Sequence, residues 1–304
     1  MTPQAVVCGF ICSLLLAISM LPAGAQDNKK CDLDRFSVLP ISTLPDGRFT
    51  VPAEVEGRKL DFLVDTGGVT ATIEGNQARW LQLTPKPANR GLRGVAGDTL
   101  NFYTTIGRFS LGRLQGTDLA AYIDNRLSTG VDGTISPDMM RHYDVDIDML
   151  RGTLSLFSQK HCTGQVVYWT RSGYVVLPMK VEVDGHIRVP VTVDGTQFTA
   201  LLDTGAQHTI IAMHAAKAAG VSEDSPDLKL VSDKDAKFKR YDYPFKLLDF
   251  KGVAVSNPRI QIVSDDYLPG KDTDMIVGIS LLRRLHLYIA YGEEKLYITP
   301  ALAN

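Results

Sequence analysis

The feature that most limits how this chain can fold is that it repeats itself. Val51-Pro52-Ala53-Glu54-Val55-Glu56-Gly57 falls on Val189-Pro190-Val191-Thr192-Val193-Asp194-Gly195 at an offset of 138 residues. Carried on without a gap, that offset sets Leu63-Val64-Asp65-Thr66-Gly67 on Leu201-Leu202-Asp203-Thr204-Gly205, and Ile73 on Ile211. A second block matches at an offset of 142, with Asp132, Met139-Met140-Arg141, Val145, Ile147 and Leu154 over Asp274, Leu281-Leu282-Arg283, Leu287, Ile289 and Leu296. Two blocks in the same order at nearly the same spacing mean a duplicated unit. A chain of 304 residues is long enough for two such units, each with its own core.

Inside each half the patterning is that of β-structure. Residues 48–56 and 58–65 are apolar-rich and partly alternating around Glu56-Gly57, which predicts a hairpin; the second half repeats it around Asp194-Gly195, after another hairpin signal at Asp184-Gly185. Short helices are expected near Asn76–Leu83 and Ala212–Ala219. Strands are expected at Tyr143–Ile147 and Leu285–Ile289, followed by Thr153–Phe157 and Lys295–Ile298. The expected division is a signal peptide at 1–25, an N-terminal extension at 26–45, a first lobe at 46–160, a junction at 161–173 and a second lobe at 174–304.

The chemistry sits where each half ends an apolar strand in Asp-Thr-Gly: Asp65-Thr66-Gly67 and Asp203-Thr204-Gly205. One such tripeptide is weak evidence, since Asp and Gly are ordinary turn residues. Two copies at equivalent points of a repeat, each delivered by a buried-type strand, are strong evidence, because burying a carboxylate is costly unless it is used. On these motifs, and on the later Ile276-Val277-Gly278, the chain resembles the aspartic peptidases of the pepsin and retropepsin type. Within them it resembles bacterial single-chain proteins with two retropepsin-like lobes. The resemblance covers roughly residues 45–300.

It implies an all-β, bilobal acid-protease fold, two duplicated β-rich lobes with an active-site cleft between them. It implies Asp65 and Asp203 as the catalytic pair of an endopeptidase acting on a polypeptide substrate, with no metal and no cofactor. Thr66 and Thr204 would lock the lobes beneath the pair, and Gly67 and Gly205 would keep the backbone close. Two carboxyl groups in contact cannot both ionise cheaply, so they hold one proton between them, which suits activation of a water. An inactive peptide-binding module on the same fold is the alternative, and a glycosidase with paired carboxylates is a remote third.

Gly68 and Ala206 follow the two motifs and are expected to line the substrate cleft. Neither carries the hydroxyl that would lower an aspartate's pKa there, so a mildly acidic to neutral optimum is expected, below about pH 7. The first half departs from the second at Thr134-Ile135-Ser136, aligned with Ile276-Val277-Gly278. The flap is expected at Gly91–Gly97, with Gly94 and Gly97 against substrate. His208 and His214, six apart, are not a metal pair, and the alternating Asp144, Asp146 and Asp148 read as a solvent-facing row rather than a calcium site.

A net charge of −2 excludes the strongly basic balance of a general nucleic-acid binder. The apolar run Ala5–Leu21 with Ala23-Gly24-Ala25 after it reads as a signal cleaved after Ala25, giving an exported protein, periplasmic or secreted, without stable membrane insertion. That removes Cys8 and Cys12 and leaves Cys31 and Cys162, which an oxidising compartment can join. Two lobes in one chain remove the need for a dimer, so a monomer is expected.

Overall fold

The computed structural model describes residues 31–94, 99–127, 129–232, 238–268 and 273–301. The expected signal peptide lies outside them. Contacts divide the chain into Met1–Cys31 and one compact unit, Asp32–Asn304, to which the fold below belongs. Cys31 and Cys162 are each disulfide-bonded.

Alternation builds the strands. Phe49–Val55 buries Phe49, Val51, Ala53 and Val55, and its repeat Ile187–Val193 buries Ile187, Val189, Val191 and Val193. Each turns back through two residues of positive φ, Glu56 (49°) and Gly57 (83°) in one half, Asp194 (46°) and Gly195 (90°) in the other. That backbone matches the twist of a tight hairpin and favours glycine at its second position. The return strands Arg58–Val64 and Thr196–Leu202 lead straight into the two Asp-Thr-Gly motifs.

Each return strand pairs parallel with a short later strand. Leu63 lies opposite Thr134 in the strand Gly133–Ile135, and Leu201 lies opposite Ile276 in the strand Met275–Val277. The first lobe has an eight-stranded sheet, curled round by pairing of Phe49–Val55 with Thr99–Leu111. The second lobe has a ten-stranded sheet. A third sheet takes three strands from each half, in the order Arg35–Pro40, Thr153–Phe157, Asp144–Asp148, Leu285–Ala290, Lys295–Pro300, Val175–Pro178. The helices fall where the sequence puts them, at Gly75–Trp80 and Met213–Ala218. The strand Arg35–Pro40 lies within the stretch read as an N-terminal extension and forms an edge of the third sheet.

The structure corrects one reading. Asp144, Asp146 and Asp148 face away from the main core, as alternation requires, but all three are buried. Their strand is central in the third sheet, and the segment around His161–Trp169 lies over their face. His161 Nε2 is 2.6 Å from Asp144, His286 Nε2 is 2.9 Å from Asp146, and Arg151 donates to Asp148 at 3.1 Å. The Trp169 ring stacks on His286 at 4.3 Å. Buried carboxylates persist here because each has a partner.

Candidate active site

The loops that follow the two return strands meet at the interface of the lobes. Thr66 Oγ1 donates to the Leu202 carbonyl (2.8 Å) and accepts from the Thr204 amide (3.0 Å). Thr204 Oγ1 donates to the Val64 carbonyl (2.6 Å) and accepts from the Thr66 amide (3.1 Å). Both threonines are fully buried. Each hydroxyl therefore uses its proton and a lone pair across the interface, and the loops cannot slide independently.

Above this lattice the carboxyl groups of Asp65 and Asp203 are hydrogen-bonded to one another. Gly67 N–H donates to Asp65 Oδ1 at 3.1 Å and Ala206 N–H to Asp203 Oδ1 at 2.9 Å. Gly67 and Gly205 are required by space, since a Cβ on Gly67 would run into the Asp203 carboxyl and one on Gly205 into that of Asp65. Each loop is braced from below, with Asp65 N–H donating to Ile135 O (2.9 Å) and Asp203 N–H to Val277 O (3.0 Å).

Burial raises both carboxyl pKa values. Asp203 is pushed up to about 8, by loss of solvent first and by the Asp65 charge second. Asp65 is also raised by burial, against the pull of the Gly67 and Gly68 amides and the charge of His186. The pair thus holds a proton through the neutral range, with the balance towards Asp203.

The pair lies on the floor of a cleft of about 750 Å³ walled by both lobes. Gly68, Ala206 and Gly94 line it. The strand Lys86–Arg93 pairs with Thr99–Leu111, and its end reaches the cleft through Leu92, Arg93 and Gly94. Gly97 lies outside the described residues. Apolar side chains come from both walls, including Leu100 and Leu127 from the first lobe and Ile210, Tyr267 and Leu268 from the second.

The sequence reading missed His186. It follows the hairpin turn Asp184-Gly185, and its Nε2–H donates to the Gly67 carbonyl at 2.8 Å while Nδ1 faces the Asp184 carboxylate at 3.0 Å. A second-lobe turn thus holds the first-lobe Asp-Thr-Gly loop. The signal was present. At the offset of 138, Asp184-Gly185-His186 falls on Asp46-Gly47-Arg48. Arg48 also lines the cleft and is paired with the aspartate two residues before it. Both glycines have positive φ, 87° and 91°.

A family model described as aspartyl protease matches residues 51–141 and 189–281, the two halves of the repeat. The chain belongs to the aspartyl protease family. Among solved structures, the crystal structure of Basic 7S globulin from soybean superposes with a TM-score of 0.53 at 9% identity, over 88% of this chain and 97% of that one. A likeness at that identity is one of fold. No curated protein matches the chain.

Proposed function

We propose that this chain is an aspartic endopeptidase in which Asp65 and Asp203, sharing one proton, activate water to hydrolyse a peptide bond. The observation that carries the reading is the contact of two repeat-related carboxyl groups, hydrogen-bonded to each other, on the floor of a cleft walled by both lobes. The ionised carboxylate takes a proton from water as its oxygen attacks the scissile carbonyl carbon. The protonated carboxyl gives its proton to the carbonyl oxygen, forming a gem-diol. On breakdown the first carboxyl protonates the departing nitrogen, the C–N bond breaks, and a gem-diol proton returns to the second. Acid and amine leave, and the pair is again singly protonated. The asymmetry of the site favours Asp65 as the base, since both carboxyl groups have two amide donors but only Asp65 has the His186 charge beside it.

The open cleft suits an extended polypeptide, and its apolar walls suit apolar side chains beside the cut. Cleavage of a mixed peptide library by the wild type, abolished in Asp65→Ala and inhibited by pepstatin, is the expected result. Cleavage surviving Asp65→Ala would overturn the mechanism, and an inactive, folded wild type that still binds peptide would make this a binding module. The chain supplies both aspartates, so the reading expects a monomer.

We also infer export, on the apolar run Ala5–Leu21 with the small residues Ala23-Gly24-Ala25, and on the disulfide state of Cys162. Among the described residues no helix is long and apolar enough to cross a membrane. Mass spectrometry of the protein from its native host should find Gln26 at the N-terminus; a retained residue 1–25 segment would reject the cleavage.

A further inference from the structure

Ser136 stands where the second half has Gly278, and the structure explains why a side chain fits at the first position and not at the second. A Cβ on Gly278 would collide with the backbone of residues 206–208. In the first half the facing residue is Gly68, and the space a Cβ on Gly68 would take is filled by the Ser136 hydroxyl, 2.5 Å from that point. Side-chain volume has moved from one strand end to the other, with both bracing hydrogen bonds kept.

The hydroxyl has no structural task. Ser136 precedes the short helix Pro137–Met140 in extended conformation, a position where serine normally caps, yet its side chain makes no cap bond. The residue is 1% exposed, and its Oγ is buried without a hydrogen-bond partner. A buried hydroxyl left so is costly and wants an acceptor. Asp65 Oδ2 lies 3.0 Å from the same Gly68 Cβ point, and both Ser136 and Asp65 line the cleft.

We propose that Ser136 is a positioning residue for Asp65: by rotation about its Cα–Cβ bond, its hydroxyl donates to the ionised Asp65 carboxylate and holds it ready as the base. The hydroxyl missing after both Asp-Thr-Gly motifs is thereby supplied to one lobe only, from a residue 68 positions beyond Gly68. This rests on the reading of Asp65 and Asp203 as a proton-sharing pair. The titratable groups that act on Asp65 are Asp203 on the opposing loop and His186 on the second-lobe hairpin; Arg48, Arg93 and Asp266 also line the cleft, and Asp138 lies two residues beyond Ser136. Asp138 is occupied by Thr70 and Ala71. Farther along the cleft, Asp124 and Arg126 pair with each other.

The test compares wild type with Ser136→Ala in two readouts. In the pH profile of kcat/KM, losing the donor raises the acidic limb by about half to one pH unit, so activity at pH 5 drops roughly three- to ten-fold while activity at pH 7 stays within about two-fold. In thermal unfolding, which needs no turnover, the variant melts below wild type at pH 6.5 and level with it at pH 3.5, where Asp65 is protonated. The exchange variant Gly68→Ser/Ser136→Gly returns a hydroxyl to the same space and restores the acidic limb. A Ser136→Ala variant as stable as wild type or more so at both pH values, with an unmoved acidic limb, overturns the proposal, because that is how loss of an idle buried hydroxyl behaves. Absence of turnover in wild type would count against the peptidase reading, while the unfolding comparison still decides the role of Ser136.

Discussion

Asp203→Asn should lower kcat/KM by about 10⁴-fold or more at neutral pH while leaving the fold intact, and Asp65→Asn should do the same. Each substitution keeps the shape of the side chain but ends proton sharing, so one variant removes the group that polarises the carbonyl and the other the base. Positioned acid–base groups are each worth about 10²–10⁴-fold, and members of one unit fail together. Residual activity within about ten-fold of wild type in either variant would remove the pair from the mechanism.

The same substitution has a stability consequence with a definite sign. Asp203 has its pKa raised in the folded protein, to about 8, from an ordinary value of 3.8. The folded state therefore prefers the protonated form. This group's contribution to stability is fully present below the ordinary value, and it is lost as pH rises towards the folded one. Asparagine cannot ionise, so Asp203→Asn should melt above wild type at pH 8, by on the order of 2 kcal/mol, with the advantage shrinking towards pH 4. The full linkage value is not expected, because the amide is itself buried. For wild-type activity, the window of single protonation opens above the ordinary carboxylate range and closes at about 8. The optimum should therefore be mildly acidic to neutral, and a profile peaking near pH 3 would refute it. An alkaline stability gain absent from Asp203→Asn would show that the pair is solvated and uncoupled.

Much of this architecture was legible because it is written locally and then written twice. Alternation in Phe49–Val55 and Ile187–Val193, and the Glu56-Gly57 and Asp194-Gly195 turns, are decided by residues next to one another. The duplication turned two weak Asp-Thr-Gly signals into one strong one. What escaped depends on contacts far apart in sequence. His186 is not identical to its counterpart Arg48, and its role exists only because its turn packs on the Gly67 loop of the other lobe. Ser136 was visible as a departure, yet its meaning required knowing that Gly68 faces it. The row of Asp144, Asp146 and Asp148 was misread because alternation shows which residues share a face and not what covers that face. Here a stretch of irregular chain bearing His161 and Trp169 covers it.

The threonine lattice makes the second large prediction. Thr204→Val preserves volume and β-branching, so no cavity opens, but it deletes two hydrogen bonds that cross the lobe interface. The Val64 carbonyl and the Thr66 amide are left buried without those partners. Stranding a buried polar group costs about 1–3 kcal/mol, so the variant should lose about 4 kcal/mol of stability in denaturant unfolding. Thr66→Val should match it, because it strands the Leu202 carbonyl and the Thr204 amide in the same way. Neither threonine touches substrate, yet kcat should fall about 10- to 100-fold with little change in KM, because the carboxyl groups depend on the lattice for their separation, and small misplacements of reacting groups cost rate steeply. The two bonds lost in each variant are different bonds, so coupling in the double variant would report the rigidity of the interface rather than shared contacts. A Thr204→Val protein with wild-type stability and wild-type kcat would mean that the lobes are held in register by the six-stranded sheet and by the His186 contact, with the threonines as bystanders.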